Sequence, residues 1–413
     1  MQHEVPSTLT VSQAREFILA RCPAVEGSET VDLLEACGRV TAHPVVSPLT
    51  VPPFDNSAMD GYAFVWSDVA HLESATLPIV GESLAGHPYA AGLAPKGSCI
   101  RITTGARMPE PCDTVIAFEK TTFSDTEVRF RPADVKPGAN VRHAGEEMAV
   151  GNVVIEAGTR LSPAHIALIA SLGLAHIEVV RPLTVALLVT GDELAEPGEP
   201  LPEGGIYNAN GPALLTLLRR LGCRTQYEGI LADDPQVIGA ALDRACASAD
   251  IVLMSGGAAD SSADYSHQQL AARGTIFDWT VNMRPGRPMR FGLLAKTPVF
   301  ILPGNPVASI GVFLEFVRGA LLHMQGVTDG VWPQSVRAEL TDNLKSKPGR
   351  AEFVRAQLQR TAGEHVRVAA NKNQSSASLR SLAASQALIA LDHADTLVPA
   401  GSSVDVHLLT ELL

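Results

Sequence analysis

Val185-Ala186-Leu187-Leu188-Val189-Thr190-Gly191-Asp192-Glu193-Leu194 is a buried-strand pattern that runs straight into an acidic turn holding a glycine. An unbroken apolar run bounded by a turn suits a strand covered on both faces. The pattern recurs at Arg224 to Leu231 before Asp233-Asp234-Pro235, at Ile251 to Met254 before Ser255-Gly256-Gly257, and at Val299 to Leu302 before Pro303-Gly304-Asn305-Pro306. Each turn precedes a helical pattern: Asn210-Gly211-Pro212 opens a helix that Gly222 closes, and Asp234-Pro235 opens the next. Strand and helix thus alternate from Leu183 to Met324, the signature of a parallel sheet covered on both faces. In such sheets ligands bind outside the carboxyl ends of the strands. Glycines let the backbone approach an anion, helix N-termini offer it N–H groups, and carboxylates hold a hard cation. One site is therefore expected to take phosphate and a metal together.

Working outward, residues 8 to 40 read as helix, with Ser12 as N-cap and Ala14, Phe17, Ile18 and Ala20 on one face. Val45 to Ala63 is Pro-rich and cannot be one regular element. Short strands alternate with Gly and Pro turns from Leu77 to about Val135, which suggests an inserted β domain. Ser162-Pro163 starts a helix that Gly173 ends. Beyond Gly330, Val336 to Leu340, Phe353 to Leu358, Val366 to Ala369, Ala387 to Leu391 and Val404 to Leu409 read as strands of a terminal β domain. The fold class is α/β multidomain. Residues 1–48 and 140–181 form a discontinuous helical and linker domain, 49–139 the inserted β domain, 182–330 the α/β domain, and 331–413 a small β-barrel-like domain.

The length of 413 residues exceeds one core and implies several domains. A net charge of −12 argues against nucleic acid or an anionic membrane as partner. It leaves room for an anionic small substrate, because local Arg and Lys or a bound cation can reverse the sign in a pocket. The first residues, Met1 to Ser12, lack the basic flank and apolar core of a secretory signal, and the apolar runs read as too short for a membrane helix. The six cysteines are scattered without a C-x-x-C pair, so they read as small core residues in a reducing cytoplasm rather than a disulfide or zinc framework.

Pro53-Phe54-Asp55-Asn56-Ser57-Ala58-Met59-Asp60-Gly61-Tyr62-Ala63 is a long and specific signature. With it come, in order, Thr104-Gly105-Ala106, Asn140-Val141-Arg142 with Gly145-Glu146-Glu147, Thr190 to Leu194, Pro285-Gly286-Arg287-Pro288, and Leu302-Pro303-Gly304-Asn305-Pro306-Val307. On these motifs the chain resembles, over essentially its whole length, the molybdopterin molybdenumtransferase family, the bacterial MoeA enzymes related to the gephyrin E domain. The resemblance implies an enzyme of molybdenum cofactor synthesis that inserts molybdate into adenylylated molybdopterin, breaks the phosphoanhydride and releases AMP. It implies magnesium as the cofactor, a homodimer with an active site shared between subunits, and a molybdopterin-binding role for the α/β domain. Molybdopterin adenylyltransferase and the apoenzymes that accept the cofactor are the implied protein partners.

The residue chemistry agrees. Magnesium takes one or two carboxylates plus substrate oxygens and water, and Glu193, Asp233 and Asp264 at three strand ends are the candidate metal ligands. Asp60 and Glu147, on loops of the N-terminal half, complete the candidate catalytic carboxylates. Molybdate is a tetrahedral oxyanion and needs donors. Candidates are the backbone around Gly256 and Gly257, the Pro303-Gly304-Asn305 turn, the Thr104 hydroxyl, and Arg284 and Arg287, whose planar forks suit oxyanions. Each has a plainer reading beside it: Asp60 as a turn residue, Glu193 as a carboxylate at a helix N-terminus, and Asp264 as a helix cap.

Several positions depart from the family pattern. Arg284 and Arg287 stand where lysines are usual, Thr280 follows Trp279 in place of a lysine, and Glu147 replaces an aspartate. Ala258-Ala259-Asp260-Ser261 replaces a Val-Ser-Val-Gly cradle. This last change motivates two alternatives, a molybdopterin-binding scaffold with weakened turnover and an enzyme that inserts tungstate.

Overall fold

The computed structural model describes residues 6–257, 265–359, 366–391 and 397–412. Two compact units emerge, one of Pro44–Glu156 with Ala167–Ala175, the other of Met1–His43, Ala157–Ile166 and His176–Leu413.

The smaller unit is built on a six-stranded sheet of β1 Gly61–Phe64, β2 Ala75–Ser83, β3 Cys99–Ile102, β4 Thr114–Ala117, β5 Thr122–Phe123 and β6 Glu127–Phe130, in the order β4-β1-β3-β2-β6-β5. Tyr62, Phe64, Leu77, Ile116, Val128 and Phe130 share its core. Glu127–Phe130 alternates buried and exposed residues as a half-buried strand does, whereas Gly61–Phe64 and Thr114–Ala117 are buried throughout. Gly61 lies against the Ile116 carbonyl so closely that no side chain fits. The Pro-rich stretch before β1 contributes only two-residue strands, Val45–Val46 and Asn56–Ser57.

The larger unit carries β7 Thr184–Thr190, β8 Arg224–Leu231, β9 Ile251–Ser255, β10 Thr275–Phe277, β11 Arg290–Leu294 and β12 Thr297–Leu302, in the order β8-β7-β9-β12-β11-β10. The first four are parallel, as the alternation with helices requires. The last two are antiparallel additions that the sequence reading, with four strands in this domain, did not anticipate. Only Ala295 and Lys296 join β11 to β12, with Ala295 at φ 54°, and so short a link makes a hairpin rather than a crossover.

The sheet is covered by α2 Asn210–Arg220, α3 Pro235–Ser248, α4 Tyr265–Arg273 and α5 Pro306–Met324. Asp234 caps α3 by accepting from the Gln236 and Val237 N–H groups. The central helix α5 is long and apolar enough to cross a membrane by composition, but it is a core helix, with 83% of its apolar window buried. A π turn, Phe313–Val317, interrupts it.

Residues 8 to 40 are not one helix. Helix α1 covers Val11–Leu19, capped by Thr10 in a capping box with Gln13 rather than by Ser12. Pro23 and Gly27 then end the helical pattern, and Ser28–Asp32 pairs as a strand with His176–Val180. Cys22, Cys99 and Cys223 are buried as expected, while Cys37 is exposed; all six are free thiols.

The five C-terminal strands appear as expected: β13 Ser335–Leu340, β14 Ala351–Gln359, β15 Arg367–Ala370, β16 Ala387–Leu391 and β17 Ser403–Leu408. They pair in the ring β14-β15-β13-β17-β16, closed by β16 on β14. A sixth strand was not anticipated. Met283–Arg284 runs parallel to Ala351–Glu352, and this attaches the Pro285 to Pro288 turn to the barrel.

Candidate active site

In the smaller unit the family motifs interlock through the backbone. Ser57 and Asn56 pair with Val141 and Arg142, the Gly105 N–H donates to the Ser57 carbonyl at 2.8 Å, and the Ala58 N–H donates to the Asn140 carbonyl at 2.9 Å. Asp60 and Thr104 meet directly. The Asp60 Oδ1 accepts from the Thr104 N–H at 2.7 Å and from its Oγ1 at 2.9 Å. These bonds, led by the backbone one, hold the Asp60 carboxyl below the usual carboxylate range. The Thr104 hydroxyl thus serves Asp60 in this state. Nearby in sequence, Asp55 accepts from the Ala144 N–H at 2.8 Å and from His143 Nδ1 at 3.1 Å. Glu147 is exposed beside the Gly145 turn.

In the larger unit four predicted turns lie along the carboxyl edge of the parallel strands, following β8, β7, β9 and β12 in spatial order. At strand spacing this edge is about 14 Å long. Its β8–β7 end is acidic. The Asp233 N–H donates to Asp192 Oδ1 at 3.0 Å and the Asp192 N–H to Asp233 Oδ2 at 3.4 Å. Partial burial, and then the charges of Asp192 and Glu193, push the Asp233 carboxyl above its ordinary range. Among the described residues no basic side chain forms an ion pair with Asp192, Glu193 or Asp233. Asp264 lies outside the described residues, as does Ala258 to Ser261.

The middle of the edge is tied together by Asn210 at the start of α2. Its Nδ2 donates to Ser255 Oγ at 2.8 Å and to the Gly304 carbonyl at 2.9 Å, while its buried Oδ1 has no partner among the described residues. Gly256, at φ 106°, approaches Thr190 so closely that a Cβ would lie 2.7 Å from the Thr190 carbonyl oxygen. Its N–H donates to the Leu302 carbonyl at 3.3 Å, which leaves Gly257 as the neighbouring turn residue, at φ 73°.

The β12 end of the edge opens into a cleft of roughly 330 Å³ whose lining includes Pro303 and Asn305, Arg284 and Arg287, and the first residues of β14. Five basic side chains line it, Arg284, Arg287, Lys345, Arg350 and Arg355, against the single carboxylate of Glu352. Arg350 occupies that carboxylate at 2.7 Å, while Arg284 stands 4.0 Å from it. Arg355 is 2% exposed. Among the described residues it has only neutral partners: its guanidinium donates to the carbonyls of Ser375 at 2.9 Å, Asn373 at 3.1 Å and Ser378 at 3.1 Å. Burial, and then the charge of Arg284, press its pKa below the ordinary value. The cleft is a region of uncompensated positive charge that an oxyanion would relieve.

Sequence reasoning placed Arg284, Arg287, Pro303 and Asn305 here, but missed Lys345, Arg350, Arg355, Gln374 and Ser376. A signal existed for Arg355. It sits inside the apolar run Phe353-Val354-Arg355-Ala356, where an arginine is rarely buried without a partner.

Three family models match in order: the MoeA N-terminal region (domain I and II) over residues 9–173, the probable molybdopterin binding domain over 186–323, and the MoeA C-terminal region (domain IV) over 337–409. The molybdopterin molybdenumtransferase of Haemophilus influenzae is 36% identical, over 98% of this chain and 100% of its own. The chain belongs to the molybdopterin molybdenumtransferase family. A second molybdopterin molybdenumtransferase, from a Nostoc species, is 36% identical over 97% of this chain and 93% of its own. The crystal structure of the molybdopterin biosynthesis MoeA protein of Pyrococcus horikoshii superposes with a TM-score of 0.84 at 30% identity, covering 97% of this chain and 100% of that one. Gephyrin of Dictyostelium discoideum, at 27% identity over 62% of its length, extends the likeness to the gephyrin branch. The chain is therefore a molybdenumtransferase of molybdenum cofactor biosynthesis, with a MoeA fold.

Proposed function

We propose that this molybdenumtransferase takes molybdate and adenylylated molybdopterin, transfers molybdenum to the pterin dithiolene and releases AMP. The observation that carries this reading is the sign of the cleft. A protein of net charge −12 gathers five basic side chains around one concave site at a strand-end turn. Molybdate is a small dianion, and arginine forks match its oxygens. Arg284 and Arg287 would hold it from the exposed side. Arg355 contributes fixed positive charge from beneath, and Asn305 and Ser376 contribute polar groups at the rim.

The acidic end of the edge fits magnesium. Three neighbouring carboxyl groups lack a basic partner among the described residues, and the Asp233 carboxyl is pushed up by partial burial and then by its negative neighbours. Among the described residues no three His, Cys, Asp or Glu side chains are grouped to hold a metal ion, so substrate oxygens and water would have to supply most of the ligands. Glu193 and Asp233 would hold it, with Asp264 as the further carboxylate. When bound, magnesium neutralises charge on the phosphate oxygens. The turns between the acidic and basic ends would then position the pterin phosphate, with Asn210 fixing the Ser255 and Gly304 turns.

Asp60, exposed and without an ion pair among the described residues, fits a role in a site completed by a second copy of the chain. We read the enzyme as a cytoplasmic homodimer from the family resemblance. The deciding assay measures AMP from adenylylated molybdopterin with magnesium and molybdate each left out in turn. Release that needs both supports the reading, and equal release without molybdate defeats it. Mixing Asp60→Asn with Glu193→Gln protein should restore activity to about a quarter of wild type if each site draws on two subunits. No recovery would place both residues in one subunit's site.

A further inference from the structure

Glu315 is a fully buried carboxylate in the π turn of α5, outside every motif singled out in the sequence. Arg15 of α1 donates to its Oε2 at 2.5 Å and to its backbone carbonyl at 3.1 Å, and the Arg15 guanidinium also lies 4.9 Å from the Trp332 ring centre. His407 of β17 bonds its Oε1 at 3.0 Å. One side chain of the core helix therefore grips the N-terminal helix with one oxygen and the C-terminal barrel with the other. Burying a charge in this way is expensive unless every lone pair has a use. Inserted π turns are frequent where a helix serves a site.

The barrel register shows what the grip controls. His407 pairs with Leu388, and Leu388 pairs with Arg355, so the three form one row across β17, β16 and β14. Directly opposed residues share a face of a sheet. This face looks onto α5: Glu315, Leu388, Phe353 and Arg355 line one enclosed space of about 10 Å³. Phe353, whose ring centre is 5.7 Å from that of His407, also lines the cationic cleft together with Arg355. The cleft lining also includes Pro303, Asn305, which is the N-cap of α5, and Ala308 in its first turn. Any slip of the barrel along α5 would thus move Arg355 relative to Asn305 and change the width of the anion site.

We propose that Glu315 is a positioning residue for the oxyanion, acting through His407 and the His407–Leu388–Arg355 row to set the gap between barrel and helix. The proposal rests on the reading of the cleft as the molybdate site, and it assigns Glu315 no contact with substrate.

The test uses the full-length enzyme and reads molybdate affinity by calorimetry, alongside the KM for molybdate, the KM for adenylylated molybdopterin, and kcat. Glu315→Gln keeps volume and one acceptor. It should raise the molybdate Kd and KM about tenfold while leaving the pterin KM within about twofold, the order seen when the partners that orient a ligand are removed. His407→Leu should do the same. His407→Asn, which places an amide N–H where Nδ1 stood, should restore near-native values. If Glu315→Gln does not fold, the two His407 variants carry the comparison. Folded Glu315→Gln or His407→Leu protein with native molybdate affinity would overturn the proposal. So would a loss shared equally by both substrates, which indicates general loosening. The double variant Arg284→Ala/Arg287→Ala separates this from the parent reading. If it keeps native molybdate affinity, the cleft is not the oxyanion site and both fall. If it alone weakens binding, only the role of Glu315 falls.

Discussion

The two ends of one sheet edge solve opposite electrostatic problems. At the β8–β7 end, Asp192, Glu193 and Asp233 crowd negative charge with no basic partner among the described residues, and one carboxyl resists ionisation. At the β12 end, Arg284 and Arg355 crowd positive charge, and burial together with the Arg284 charge lowers the pKa of the Arg355 guanidinium, which stays charged. Each cluster is unfavourable alone, and each is relieved by a ligand of the other sign. The reaction proposed here brings both a cation and an oxyanion. Poising charge in advance is how a site stabilises its reactants without reorganising at the moment of reaction. The two ends also differ in construction. The acids stand on exposed turns directly after their strands, whereas Arg355 reaches its end of the edge from another domain.

The largest break in this comparison should come from Arg355→Ala. Removal of the guanidinium leaves the carbonyls of Asn373, Ser375 and Ser378 without their donor. Stability should fall by about 3 kcal/mol in urea melts, and activity by more than about a hundredfold. A variant as stable and active as wild type would mean the loop is held by other contacts.

The comparison is sharpened by crossing ligands with variants. Glu193→Gln should raise the magnesium concentration for half-maximal rate about tenfold, with the molybdate requirement unchanged. Arg287→Ala should do the reverse. If both variants shift both requirements equally, the two ends are not separate sites.

A smaller effect is expected in stability against pH. The Asp233 carboxyl is raised in the folded state, so the native protein binds its proton more tightly than the unfolded chain does. Stability then falls as pH rises from the unfolded carboxylate range through the folded value. Asp233→Asn should therefore melt slightly above wild type at neutral pH without magnesium, and the gap should close in acid. Added magnesium should stabilise wild type but not the variant. A variant that melts lower at pH 7 would show that the carboxylate is favourably placed without a cation.

Legibility from sequence followed the range of the interactions. The strand-turn-helix repeats were plain, because the apolar run, the glycine and the cap lie within a few residues of one another. Asp234 as the α3 cap, Gly173 after the helix Pro163–Ser171, and the five barrel strands are of this kind. The helix expected from residue 8 to 40 failed at Ser28–Asp32, where pairing with a strand about 150 residues away overrides local pattern. Arg290–Leu294, the hairpin partner of Thr297–Leu302, was missed because an arginine and a glycine break its short apolar run.

What the sequence determined alone was the family, the α/β framework and the acids and glycines at its strand ends, since those follow from short-range periodicity and contiguous motifs. Tertiary structure decided the rest. It brought Asp60 to Thr104, and it drew Arg350 and Arg355 beside Arg284 through the pairing of Met283–Arg284 with Ala351–Glu352. It also placed Glu315 between Arg15 and His407. The physical reason is that a charge is defined by what surrounds it. Its neighbours come from distant parts of the chain, and only packing chooses them.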